Sequence, residues 1–243
     1  LCHTHLHPRP DEIKKCAELY NRRPHQWLEE IGWIDKNVSF AHISRHNAEE
    51  LDIVARNGAS VTQSPSCHMR LGYPIAPALE ARDRGIPVSI GVDGGASNDS
   101  GDMLGELRTM LYVHRIDGGH PGYGPERWIN AKEVFEMATV NGAKCLNRDD
   151  IGMLKEGMAA DLVLFSMIQP GYAGALTDPR GALLYCGNNH LADTTIVNGN
   201  VLIENGIFLA GDLNQIVEDA NRSTARILKL VKDKTGIDYR MEA

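Results

Sequence analysis

Along the first 150 residues, short apolar runs alternate with stretches whose apolar residues recur every three or four positions. Runs at 1–6, 38–42, 59–63 and 87–93 have the length of strands, and each is followed by a helical pattern. The spacing predicts helices over 11–20 and 24–31, the latter with Pro24 at its start. It predicts further helices over 47–57, closed by Gly58, over 75–84, closed by Gly85, and over 102–114. Residues 64–72 read as a loop. Four β-then-α units in succession predict an α/β chain with a parallel sheet and helices outside it.

Past a Gly/Pro/His segment at 118–124 and an amphipathic helix over 130–146, the periodicity changes. Residues 160–165, 182–185, 194–197 and 201–204 read as short strands, and Asn198-Gly199 between the last two predicts a type I′ hairpin. A charged amphipathic helix over 213–232 follows. The expected organisation is 1–150, 151–210 as a small β module and 211–243 as a C-terminal helix. There is no internal repeat.

Composition narrows the class. The 243 residues are 42% hydrophobic and carry a formal charge of −7, too apolar for a disordered tail. No Lys/Arg run offers the phosphate-neutralising charge of a nucleic-acid or anionic membrane surface. No stretch reaches the ~18 apolar residues of a membrane span; the expectation is a cytoplasmic protein. Five scattered cysteines, none in a C-x-x-C pair, argue against a disulfide framework and a thiolate zinc finger.

The chemistry concentrates early: seven of the ten histidines precede residue 71. His3, His5 and His7 alternate along the first run, so they share one strand face. They read either as metal ligands or as a solvent-facing histidine-rich segment. His42 ends the second run and Asp93 the fourth. Separately, each has an ordinary reading, as a loop or capping histidine and as an Asp-Gly turn. In a parallel barrel, however, the carboxyl ends of strands converge on the active-site mouth, and His5, His42 and Asp93 all stand there.

The order His3-Thr-His5-Leu, Phe40-Ala-His42, Gln63-Ser-Pro65 with Met69-Arg-Leu71, and Gly91-Val-Asp93-Gly-Gly-Ala-Ser-Asn-Asp99 resembles the amidohydrolase superfamily. Gly152, Leu154, Gly157 and Ala160-Asp-Leu-Val163, with Val197-Asn-Gly199, extend the resemblance over nearly the whole chain. It is most similar to the branch of guanine and 8-oxoguanine deaminases and s-triazine hydrolases. The resemblance implies a (β/α)8 TIM-type barrel with an appended small β-sandwich and C-terminal helix. It also implies one divalent metal, zinc or alternatively iron, with His5 and Asp93 as the strand-5 and strand-8 ligands. His42 matches the strand-6 histidine that contacts water or substrate. In that family a His-x-His pair on strand 1 completes the metal site, but the 88 positions from His5 to Asp93 are too few for His3-Thr-His5 to be that pair of a whole barrel. The chain is therefore expected to hold strands 5–8 of a protein of about 450 residues, allowing about 250 for a barrel plus added domain and insertions.

The implied reaction is metal-assisted hydrolysis of an amino-substituted N-heteroaromatic ring of the guanine, 8-oxoguanine or pterin kind. Asp93 would move the proton and His42 would orient the nucleophile. An s-triazine amino- or chlorohydrolase is the alternative. Where the family carries a glutamate that protonates the ring, this chain has Pro8; Asp11, Glu12 and His7 are the nearby substitutes, and a non-catalytic metal-binding homologue is a third reading. Arg70, His68 and Cys67, in the segment after the third run, are expected to contact substrate. Ser97, Asn98 and Asp99 read as support or a helix cap, and Asp161 as structural. The resemblance also makes a homo-oligomer reasonable.

Overall fold

The structure, a computed structural model, describes residues 1–6, 9–116, 124–187 and 191–239. His7 and Pro8 lie outside the described residues. The chain forms two compact units, Leu1–Ala159 with Met167–His190, and Ala160–Ser166 with Leu191–Ala243.

In the first unit, β1 (Cys2–Leu6), β2 (Val38–His42), β3 (Ser60–Gln63) and β4 (Val88–Ile90) form a parallel sheet in chain order. Helices α1 (Pro10–Tyr20) and α2 (Pro24–Glu30) join β1 to β2, and α3 (Ala48–Arg56) joins β2 to β3. Helices α4 (Pro65–Leu71) and α5 (Ala78–Asp83) precede β4; α6 (Met103–Val113), α7 (Ala131–Ala138) and α8 (Val140–Cys145) follow it. The starts are written in the sequence. Asn47 accepts from the Glu50 N–H while the Glu50 side chain accepts from the Asn47 N–H, a capping box, and Asp102 caps α6 through Gly105 N.

The two sheet faces differ in a way that follows from alternation. Val38, Phe40, Val61 and Val88 are buried, with Phe40 against the rings of His25 and Trp33. The other face is small and polar: the Thr62 hydroxyl lies 3.3 Å from that of Ser39 and 2.9 Å from that of Ser89. His3 is in register with Ser39 and His5 with Ala41, so both imidazoles stand on this polar face.

Several expectations are corrected here. Residues 182–185 belong to a helix, α9 (Pro179–Tyr185), where a strand was expected; Asp178 caps it through Gly181 N, Pro179 opens it, and Ala182 and Leu184 are buried. A four-residue apolar run carries no periodicity of its own, and the Asp-Pro start decides for helix. The expected loop over 64–72 holds α4, opened by Pro65 and ended by Gly72 at φ 68°. The helix expected over 75–84 begins only at Ala78, after Pro77, and that expected over 130–146 breaks at Thr139, where φ is −122° and ψ −86°.

In the second unit, β5 (Leu162–Leu164), β6 (Thr194–Val197), β7 (Asn200–Glu204) and β8 (Ile207–Phe208) form one antiparallel sheet in chain order. Where the resemblance implies a β-sandwich, the described residues form this single small sheet. Asn198 and Gly199 have φ of 47° and 79°, as a type I′ turn requires. Asp161 accepts from Asn198 N at 2.6 Å, which ties this turn to the start of β5 and gives the residue a structural task. Asn205-Gly206, with φ of 52° and 75°, makes a second such turn. Helix α10 (Leu213–Thr235), capped by Asp212 and ended by Gly236 at φ 75°, completes the unit. No helix of the described residues is long and apolar enough to cross a membrane.

Candidate metal centre

Three strand ends meet at one point. His5 lies on β1, His42 closes β2, and Asp93 follows β4. His5 Nε2 is 3.4 Å from Asp93 Oδ1, and His42 Nε2 is 3.9 Å from Asp93 Oδ2. One ligand atom from each of the three lies within 4.8 Å of the others. The His5 and His42 rings stack with centroids 4.8 Å apart.

His42 and Asp93 both depart from strand geometry, with φ of 74° and 62°. A non-glycine residue in the left-handed region costs on the order of 1–3 kcal/mol and persists only when its surroundings hold it. Here the surroundings are visible. The Ser97 hydroxyl donates to Asp93 Oδ2 at 2.9 Å, and the Cys67 thiol also hydrogen-bonds the Asp93 carboxylate. His42 Nδ1 is 2.9 Å from His68 Nε2, and His68 Nδ1 is 2.6 Å from the Pro74 carbonyl.

These contacts set the charges. Burial opposes the Asp93 carboxylate, but hydrogen bonds from Cys67, Ser97, the Gly94 backbone and His5 outweigh it and hold the group well below the usual carboxylate range. For His42, burial and then the neighbouring His68 and His5 hold the ring neutral down to about 4. The pair therefore presents an anionic oxygen and a neutral imidazole at physiological pH. Burial and the adjacent Asp93 push the Cys67 thiol up to about 11, so it is no thiolate nucleophile near neutrality.

The residues expected at the substrate separate. Arg70 is half exposed and paired with Asp99 at 2.7 Å. His68 is fully buried, with both ring nitrogens at hydrogen-bond distance from His42 and Pro74, and Cys67 is buried against Asp93. His3 stands 6.4 Å from His5, ring to ring, outside the trio. Asp11, considered as a substitute acid, is paired with Arg9 at 2.8 Å on the first turn of α1, and Glu12 follows it there. Glu106 carries no sequence signal beyond a charge among the leucines of α6. It is buried and accepts from Ser66 N at 3.0 Å and from Asn98 Nδ2 at 3.2 Å, joining the two segments that flank Asp93. Burial pushes its carboxyl up against the pull of those bonds.

Comparison with known proteins covers most of the chain. The chain is 35% identical over 215 residues to 8-oxoguanine deaminase of Pseudomonas aeruginosa, covering 88% of this chain and 46% of that one. It is 32% identical over 220 residues to 5-methylthioadenosine/S-adenosylhomocysteine deaminase of Desulfitobacterium hafniense, covering 90% and 49%. The crystal structure of atrazine chlorohydrolase TrzN from Arthrobacter aurescens TC1 complexed with zinc superposes with a TM-score of 0.85 at 35% identity, over 90% of this chain and 48% of that one. The chain thus spans about half the length of the relatives it matches. The model of the amidohydrolase family matches residues 1–202. With that match running from the β1 histidines into the antiparallel sheet, the chain belongs to the amidohydrolase family.

Proposed function

We propose that this chain carries the strand 5–8 half, with part of the metal site, of a hydrolytic deaminase that removes an exocyclic amine from an N-heteroaromatic ring of the guanine, 8-oxoguanine or pterin kind. The observation that carries the reading is the convergence of His5, His42 and Asp93 from three strand ends. The donor pair fits a cation: two ligand atoms that share one at about 2.1 Å lie no more than about 4.2 Å apart, and His5 Nε2 and Asp93 Oδ1 are 3.4 Å apart. His5 and Asp93 would hold it, with His42 beside them. Bound there, zinc or iron supplies a Lewis acid that makes water nucleophilic near neutral pH.

The chain's own residues do the rest. Asp93, kept ionised by Ser97, Cys67 and His5, accepts a proton from the attacking water and returns it to the departing nitrogen. The water oxygen bonds to the ring carbon, the carbon–nitrogen bond breaks, and ammonia leaves. His42, neutral and locked from behind, orients the nucleophile. Arg70, at the exposed end of α4 and paired with Asp99, would meet a polar ring substituent.

A second reading, an s-triazine amino- or chlorohydrolase, is favoured by the likeness to TrzN. The proline at position 8 motivates a third, a metal-binding homologue without turnover. Ammonia release, with chloride release for chlorotriazines, distinguishes them when guanine, 8-oxoguanine, isoxanthopterin and triazines are offered to the full-length protein loaded with zinc or iron. Ammonia from a purine or pterin is the expected result, lost by roughly 10²–10⁴-fold in Asp93→Asn, the range of a missing general base. No turnover of any ring with one metal bound per chain overturns both enzymatic readings.

A further inference from the structure

We propose that His68 is a positioning residue that fixes the tautomer of His42, so that a bare Nε2 of His42 faces His5 and Asp93. The reasoning needs only donors and acceptors. The Pro74 carbonyl can only accept, so the proton of the 2.6 Å bond sits on His68 Nδ1. A neutral imidazole has one N–H, which leaves His68 Nε2 as a lone pair. That lone pair, 2.9 Å from His42 Nδ1, takes the His42 proton. His42 Nε2 is then unprotonated, and its 3.9 Å separation from Asp93 Oδ2 is that of two acceptors with no hydrogen between them. Which nitrogen of a histidine carries the proton is set by the bond the other makes.

The segment that supplies the carbonyl is built for it. Gly72, at φ 68°, turns the chain back at the end of α4, and Tyr73 N donates to the His68 carbonyl at 2.8 Å. This places Pro74 O against the His68 ring, while the Tyr73 ring stands edge-on to it at 6.1 Å. The His68 side chain is fully buried and both its nitrogens are engaged. It has no polar atom left for a substrate, and its role is exercised through His42.

The inference deepens the reading of the site given above, but only its kinetic arm rests on that reading; the tautomer is read without substrate. Long-range ¹H–¹⁵N correlations on the ¹⁵N-labelled full chain, metal-free at pH 7.5, report the protonation of each ring nitrogen, with His42 identified by the signals missing in His42→Gln. The expected wild-type pattern is a protonated Nδ1 and a bare Nε2. His68→Leu removes the acceptor and moves the proton toward Nε2, whereas His68→Gln, whose amide oxygen can stand near the place of Nε2, keeps the wild-type pattern. A wild-type His42 protonated on Nε2, or a pattern unchanged in His68→Leu, overturns the proposal. If the leucine variant does not fold, the wild-type spectrum and the glutamine variant still decide. In turnover, His68→Leu should lower kcat by about 10–100-fold, the range for a lost outer partner of a metal-site histidine, with KM changed far less and most of the loss recovered by His68→Gln. A loss confined to KM overturns the positioning role. Absence of turnover in the wild type defeats the deaminase reading and leaves the tautomer measurement standing.

Discussion

The two units of this chain are built from similar local signals and reach different ends. In the first, four strands each lead into helices, and Phe40, Leu51, Val54, Leu79, Leu107 and Met110 are buried. In the second, tight Asn-Gly turns and an alternating pattern make a sheet, and a well-capped helix follows, yet none of its described residues is buried. Val163, Leu164, Val201 and Ile207 on the sheet and Ile216, Val217 and Ile227 on α10 remain exposed. Turn chemistry and hydrogen-bond ladders are sufficient to shape an element. Burial needs a second layer, and only burial stabilises by ~25 cal/mol per Å² of apolar surface. The trio of His5, His42 and Asp93 lies entirely in the first unit, where packing can hold His42 and Asp93 in conformations they would not adopt alone.

That contrast can be broken by experiment. The largest effect is expected from Phe40→Ala, which should cost about 3–5 kcal/mol, the range for emptying a buried aromatic site. Urea unfolding followed by tryptophan fluorescence measures it cleanly, because Trp27, Trp33 and Trp128 all lie in the first unit. Ile203→Ala, at a half-buried position of β7, should cost under about 1.5 kcal/mol, read by amide exchange in the second unit; an equal cost would erase the distinction.

Acid should act on the first unit through its histidines, since the second contains none. His42 is held neutral chiefly by burial down to about 4, against an ordinary value of 6.5, and burial likewise lowers His46 and His68. Between those limits the unfolded chain binds the proton and the folded one does not. The stability due to a neutral His42 is therefore complete above 6.5 and is lost as pH falls toward 4, on the order of 3 kcal/mol for this ring. Metal-free protein should show the fluorescence midpoint falling through that window, less steeply in His42→Gln; an identical slope would refute the assignment.

Smaller effects are expected in the second unit. Gly199→Ala puts a Cβ at φ 79° and should cost about 1–2 kcal/mol, seen as faster amide exchange in β6 and β7 with the tryptophan transition unmoved. The caps give the smallest difference between units. Asn47→Ala on α3 and Asp212→Ala on α10 should each cost about 1 kcal/mol in local exchange, because a cap satisfies its own helix end whatever lies beneath it.

Much of the fold was legible because its signals are local. The four β/α units, the hairpin at Asn198-Gly199 and the helix starts at Pro24, Asn47 and Asp102 rest on residues a few positions apart. Residues 182–185 resemble a strand because a short apolar run carries no period, while the deciding Asp178-Pro179 start lies just outside it. At the site, strand alternation placed His5, and the ends of strands suggested His42 and Asp93. Nothing in the sequence marks His68 as the partner of His42, 26 positions away, or Glu106 as the tie between Ser66 and Asn98.

By itself, then, the sequence determined most of the segments that become strand or helix and which polar residues stand at strand ends, since backbone geometry and side-chain periodicity act over a few residues. Tertiary structure alone decided that His42 and Asp93 adopt left-handed backbone, that Cys67 and Ser97 hold Asp93 ionised, and that His68 joins the Pro74 carbonyl to His42. Those outcomes depend on burial and on hydrogen bonds between residues brought together only when four strands lie side by side.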